Sequence, residues 1–149
     1  MEVALVEGNQ ACVLVAIDFS KGALGALREG RWLARRTGLD LRVVHVAENG
    51  SAWPPDAPAW DWLMAAPVEP GMVAVRQGLP WIEIVRHAHE IAAAVIVLGS
   101  HGASGVQALS LGSTASRVAL RAPCPVLFVS RAGEERESTQ SLHPQEEKQ

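Results

Sequence analysis

Gly99 and Gly102 are followed by a Gly112-Ser113 pair and then Thr114, in the spacing G-x2-G-x9-G-S. The stretch lies between an apolar run, Ala93-Ala-Val-Ile-Val-Leu98, and a helix-like segment, Thr114 to Arg121. A glycine-rich turn between a buried strand and a helix N-terminus presents backbone N–H groups and the positive end of a helix dipole. Such a turn holds an anion without any cationic side chain. The chemistry to expect is therefore binding of a phosphate-bearing small molecule, set against the plainer reading of an ordinary strand-to-helix turn. Ser113 is expected to cap the helix it opens. His101 sits beside Ser100, but adjacent Ser and His do not readily form a nucleophile–base pair, so no catalytic residue is assigned. The chain has no G-x4-G-K-[ST] loop, no G-x-G-x-x-G and no G-x-S-x-G elbow. Without a phosphate-loop lysine or a carboxylate pair for magnesium beside the glycines, fast nucleotide hydrolysis is not expected.

The elements that must position this stretch are legible in order. Ala11-Cys-Val-Leu-Val-Ala-Ile17 is a β-branched apolar run ended by Asp18, as a strand buried on both faces reads. Ser20 suits an N-cap, Lys21 to Thr37 a helix, and Gly38 its C-terminal stop, with Arg35 and Arg36 at the negative end. Gly22, Gly25 and Gly30 weaken that helix, so it should depend on packing. Leu41 to Val46 is a second strand, and Met72 to Arg76 a third, shorter one. Pro80 suits the first position of a second helix. Val95 to Leu98, a helix near Ser113 to Arg121, and Val126 to Ser130 complete the series. Between strands two and three, Glu48 to Gly71 carries five prolines and Trp53, Trp60 and Trp62. That density of proline leaves room for at most a short helix over Ala59 to Ala66.

Alternation of strand and helix implies a single α/β domain with a parallel sheet covered on both faces. Ligands of such sheets gather outside the carboxyl ends of the strands. Asp18, Val46 and Gly99 all end strands and fall on that rim. Residues 1–10 read as a lead, 11–130 as the domain, and 131–149, rich in Glu, Gln and Ser, as a disordered tail.

Composition narrows the class. With 149 residues, 48% of them hydrophobic and 19% charged, the chain reads as one soluble globular domain. A net charge of −3 offers no basic footprint for nucleic acid. No secretory signal and no apolar run of membrane-spanning length are present, which points to the cytoplasm and away from membranes. Cys12 and Cys124 are far apart and read as small hydrophobes of a reducing compartment. His45, His87 and His89 lack zinc-like spacing, and no metal site is expected.

Five blocks resemble the universal stress protein family in order: Ala16-Ile-Asp-Phe-Ser20, Val43-Val-His-Val46, Val97-Leu-Gly-Ser-His-Gly102, Gly112-Ser113 and Ala122-Pro-Cys-Pro-Val126. The resemblance implies a flavodoxin-like or Rossmann-like five-stranded sheet in the order 3-2-1-4-5. It also implies a homodimer through antiparallel pairing of Val126 to Ser130. Members with this glycine pattern bind ATP, and AMP, ADP or cyclic AMP remain open in its place, with Mg2+ arriving only on the nucleotide. Carried over by position, Ala16, Ile17 and Asp18 would meet the adenosine, with Asp18 near the ribose hydroxyls. Val46 would offer backbone hydrogen bonds to the adenine edge. Gly99, His101, Gly102, Gly112, Ser113 and Thr114 would surround the phosphates. A carboxylate is a good acceptor for two vicinal hydroxyls, and residues without Cβ allow close backbone approach to phosphate; Asp18 could instead simply cap the first helix. The chain departs from the family at Ala103, Gln107 and Ala108, where basic residues are common. Phosphates would thus be held by amides, hydroxyls and the helix end alone. Ala94 replaces a usual Asp, and the Glu48 to Gly71 connection replaces a longer helical segment. Its tryptophans either cover apolar surface or form a lid that stacks on adenine. The implied role is a stress-response protein that senses a nucleotide by binding it; an interaction module with a vestigial site and a slow ATPase are the alternatives.

Overall fold

Six consecutive residues, Cys12–Ile17, form β1, and every one is buried. A strand buried on both sides needs helices above and below, and the side chains divide accordingly. Leu14 and Ala16 join Val44, Ile96, Leu98, Ala88 and Val118 on one face of the sheet. Val13, Val15 and Ile17 join Val43, Val97, Ala26 and Leu27 on the other. The computed structural model describes residues 10–48, 61–62, 65–66, 68, 72–100 and 111–130. In chain order these give β1, α1 (Lys21–Thr37), β2 (Asp40–Ala47), β3 (Val73–Gln77), α2 (Pro80–Glu90), β4 (Val95–Gly99), α3 (Ser113–Arg121) and β5 (Val126–Val129). The five strands form one sheet in the order β3-β2-β1-β4-β5, with every neighbouring pair parallel. This is the order the family resemblance implies. Val15 pairs with Val43 on one side and Val97 on the other, so β1 is central.

α1 follows its local signals. The Ser20 hydroxyl accepts from Ala23 N–H (3.2 Å), and Gly38 ends the helix at φ 71°, a left-handed conformation that glycine adopts without penalty. Gly30 has a different reason to be glycine. A Cβ placed there would overlap the Val15 Cγ2 methyl of β1, so the missing side chain sets how closely α1 lies on the sheet. Gly30→Ala gains helix propensity, worth roughly 1 kcal/mol, yet must push a stiff β-branched neighbour or the whole helix outward. We expect net destabilisation of about 1–2 kcal/mol, read as a lower urea midpoint with an unchanged slope.

β3 runs Val73–Gln77, one residue later than the sequence suggests, because its pairing starts at Val43↔Val73. β5 ends at Val129, and Leu127 on this edge strand is 40% exposed. Cys12 and Cys124 are free thiols, and burial pushes both up in pKa. Asp61, Trp62 and Ala65 are helical and Ala66 N–H donates to Trp62 C=O (2.9 Å), within the short helix expected over 59–66. Trp53, Trp60, His101, Gly102, the lead 1–9 and the tail 131–149 lie outside the described residues. No helix among the described residues is long and apolar enough to cross a membrane.

Candidate functional site

The carboxyl ends of β1, β2 and β4 bring Ile17, Val46 and Gly99 to one rim. Val15 pairs with Val97, two residues short of Ile17 and Gly99 on their strands. Ile17 pairs with His45, next to Val46. Gly99 belongs to β4 and pairs with Val129. The next residue, Ser100, is buried and donates its N–H to Val129 C=O (3.0 Å). Its own carbonyl accepts from Gly112 N–H at 2.7 Å. That bond ties the residue that follows β4 to the one that precedes α3.

The N-terminus of α3 corrects one expectation. Gly112, not Ser113, is the N-cap: it is extended (φ −61°, ψ 168°), and its carbonyl accepts the helix-opening bond from Ser116 N–H (2.9 Å). Ser113 already has helical geometry, so its hydroxyl cannot reach back as a cap. Among the described residues no side chain caps the helix, and no acidic residue lies in its first turn. The first-turn amides and the positive end of the helix dipole stand beside the exposed Ser113 and half-buried Thr114. The Ser116 hydroxyl is within donating distance of the Gly112 and Leu111 carbonyls (2.9 and 3.2 Å).

Across the rim, Asp18 is exposed and its Oδ1 accepts from Ser20 N–H (3.0 Å) and the Ser20 hydroxyl (2.5 Å). Asp18 thus shapes the turn into α1 through one oxygen, leaving Oδ2 as an acceptor on the rim. Ala16, Ile17 and Val46 are all buried, with Val46 8% exposed. Phe19, between Asp18 and Ser20, has φ 63°, a left-handed conformation costly for a residue with a Cβ. Its ring lies 4.5 Å from His45 and 5.5 Å, edge-on, from Trp62. The Trp62 Nε1–H donates to Ser20 C=O (2.9 Å), so this indole is anchored to the body next to the rim.

Beside Val46 on the neighbouring strand stands Arg76, which sequence reading missed. Its Nε donates to Glu83 Oε2 (2.9 Å), and Nη1 and Nη2 donate to Glu90 (2.7 and 3.2 Å). Glu83 is buried and also accepts from Arg86 (2.7 Å). Arg76 Nη1 lies 3.2 Å from His87 Nδ1, which must accept, so His87 is neutral there. Burial, and then the Arg76 charge, push the His87 pKa below 6.5. The 4.0 Å approach of Glu90 to His87 is then no ion pair. The unfolded chain takes up this proton first, so stability falls as pH drops below about 6.5. We expect His87→Gln, which keeps an acceptor and cannot titrate, to flatten that part of a stability–pH profile. Among the described residues no three His, Cys, Asp or Glu side chains gather as metal ligands.

A model of the universal stress protein family matches residues 12–130. A universal stress protein of Mycolicibacterium smegmatis is 30% identical over 133 residues, covering 78% of this chain and 45% of its own. The chain spans less than half the length of the curated relatives it matches. Universal stress protein UspA from Lactobacillus plantarum shares the fold, with TM-score 0.67 and 24% identity over 80% of this chain and 97% of that one. A universal stress protein in complex with cAMP superposes with TM-score 0.59 and 26% identity, covering 81% of this chain and 97% of its own.

Proposed function

Because the chain belongs to the universal stress protein family, we propose that it is a stress-response protein that binds an adenine nucleotide at the carboxyl rim of its sheet. ATP is the first choice, with AMP, ADP or cyclic AMP in its place, and the protein acts by binding and not by fast turnover. One observation carries this reading: the Gly112–Ser100 bond sets a helix N-terminus whose N-cap is a glycine against the end of β4, on the rim that also carries Asp18 and Val46. Amides and the Ser113 and Thr114 hydroxyls would receive the phosphates, with Gly99, His101 and Gly102 approaching through backbone. Asp18 would accept from the ribose hydroxyls, and Val46 would meet the adenine edge beside Ala16 and Ile17. Magnesium, where it takes part, comes with the nucleotide. The cAMP complex of a structural relative supports a nucleotide of this class.

The test is mass spectrometry of small molecules released from freshly purified protein, followed by calorimetry with ATP, ADP, AMP and cyclic AMP. Saturable binding of at least one is expected, and binding of none overturns the reading. Linear ATP hydrolysis above a Ser113→Ala control would favour the slow ATPase instead. The exposed edge of β5 supports a homodimer through antiparallel pairing of this strand. Analytical ultracentrifugation should therefore report twice the chain mass, and a monomer at micromolar concentration would remove that part.

A further inference from the structure

The main chain on either side of Asp18 is gripped from two other elements. The carbonyl of Ile17, just before it, lies 2.9 Å from His45 Nδ1 of β2. A carbonyl can only accept, so Nδ1 carries the hydrogen. The carbonyl of Ser20, just after the turn, accepts from Trp62 Nε1–H, 42 residues away in sequence. The Phe19 ring bridges the two donors, tilted at 4.5 Å on His45 and edge-on at 5.5 Å to Trp62, a geometry that aromatic pairs favour. These contacts accompany a left-handed φ of 63° at Phe19, which a residue with a Cβ keeps only when its surroundings over-determine it. His45 immediately precedes Val46. One aromatic cluster thus joins the two places assigned to adenosine: the carboxylate at residue 18 and the main chain at residue 46.

We propose that Phe19, His45 and Trp62 are positioning residues that hold the Asp18 turn in register with Val46, making adenosine recognition depend on Trp62, far along the chain from both. None of them needs to touch the nucleotide. The proposal rests on the adenosine reading of Asp18 and Val46, and it has a part that stands without ligand: the cluster fixes the turn. A packing-only role would alter stability and leave the turn and the ligand preference alone.

Two measurements on the full chain separate these roles. Trp62→Phe keeps a ring and removes the donor, which corresponds to the loss of one hydrogen bond. We expect amide exchange at Ser20 and Ala23 to speed up about fivefold to tenfold. AMP affinity should fall by a similar factor while the affinity for inorganic pyrophosphate is unchanged. Phe19→Gly and Phe19→Ala both delete the ring, but only glycine accepts the left-handed φ. Phe19→Gly should melt several degrees above Phe19→Ala, and both should bind AMP more weakly than wild type. Unchanged exchange at Ser20 in Trp62→Phe, or equal losses for AMP and pyrophosphate, would overturn the proposal. If the wild-type chain binds neither probe, the nucleotide reading fails by itself, and the exchange experiment still decides whether the cluster holds the turn.

Discussion

Asp18→Ala is expected to weaken binding of an adenine ribonucleotide by about 10- to 100-fold, the scale of hydrogen bonds to a charged acceptor. The carboxylate has one structural job and one proposed job, and the two must be separated. Oδ1 holds the Ser20 amide and hydroxyl, and the proposed function has Oδ2 accept a ribose hydroxyl. Asp18→Asn keeps an acceptor for the turn and loses the charge, so its fold should be near wild type while its affinity falls. The discriminating ligand is a 2′,3′-dideoxynucleotide. Wild type should lose affinity for it by about the same factor, whereas Asp18→Ala should not distinguish it from the ribonucleotide. That is a thermodynamic cycle between the carboxylate and the hydroxyls. If calorimetry finds the two losses additive, Asp18 does not meet the ribose.

Arg76→Met should destabilise the fold by about 2–3 kcal/mol, among the larger effects of a single substitution here. Methionine retains an apolar stem and removes the guanidinium. Glu83, 7% exposed, then keeps only Arg86, whose side chain is 57% exposed and spends its charge on solvent. Glu90 loses the hydrogen bonds from Arg76 that hold its carboxyl below the usual range, but its side chain is 49% exposed and its release costs little. The expense lies in the half-abandoned buried carboxylate. Adding Glu83→Leu should therefore restore part of the loss, because it removes the stranded charge together with its desolvation. Urea denaturation of the two single variants and the double variant measures this. A double variant no better than the sum of its parts would show that Glu83 does not need Arg76. Because Arg76 is aligned with Val46 across β2 and β3, the network also ties the strand end next to the proposed adenine edge to α2.

Much of this molecule was legible before folding was considered. The apolar run of Cys12–Ile17 states that both faces of β1 are covered, since a half-exposed strand would alternate. Ser20 and Gly38 bound α1 because capping is chemistry between near neighbours. Strand ends with Asp18, Val46 and Gly99 gather at one rim because parallel strands joined by helices must all point the same way. The α3 cap was misread at Ser113 for an instructive reason. A serine before a helical run scores well locally, but the Ser100–Gly112 bond fixes where the chain turns, and it hands the cap to Gly112.

What the amino-acid sequence determined alone is the series of elements, the parallel sheet and the glycine spacing, because burial periodicity and turn chemistry act over a few residues. Tertiary structure decided how the rim is held. Val15 dictates a glycine at position 30. Glu83 can be buried only where Arg76 of another element reaches it. Phe19 takes a left-handed turn in contact with His45 and Trp62. Each of these joins residues that no single helix or strand contains, and no local pattern encodes such a contact; it exists only once packing has brought its partners together.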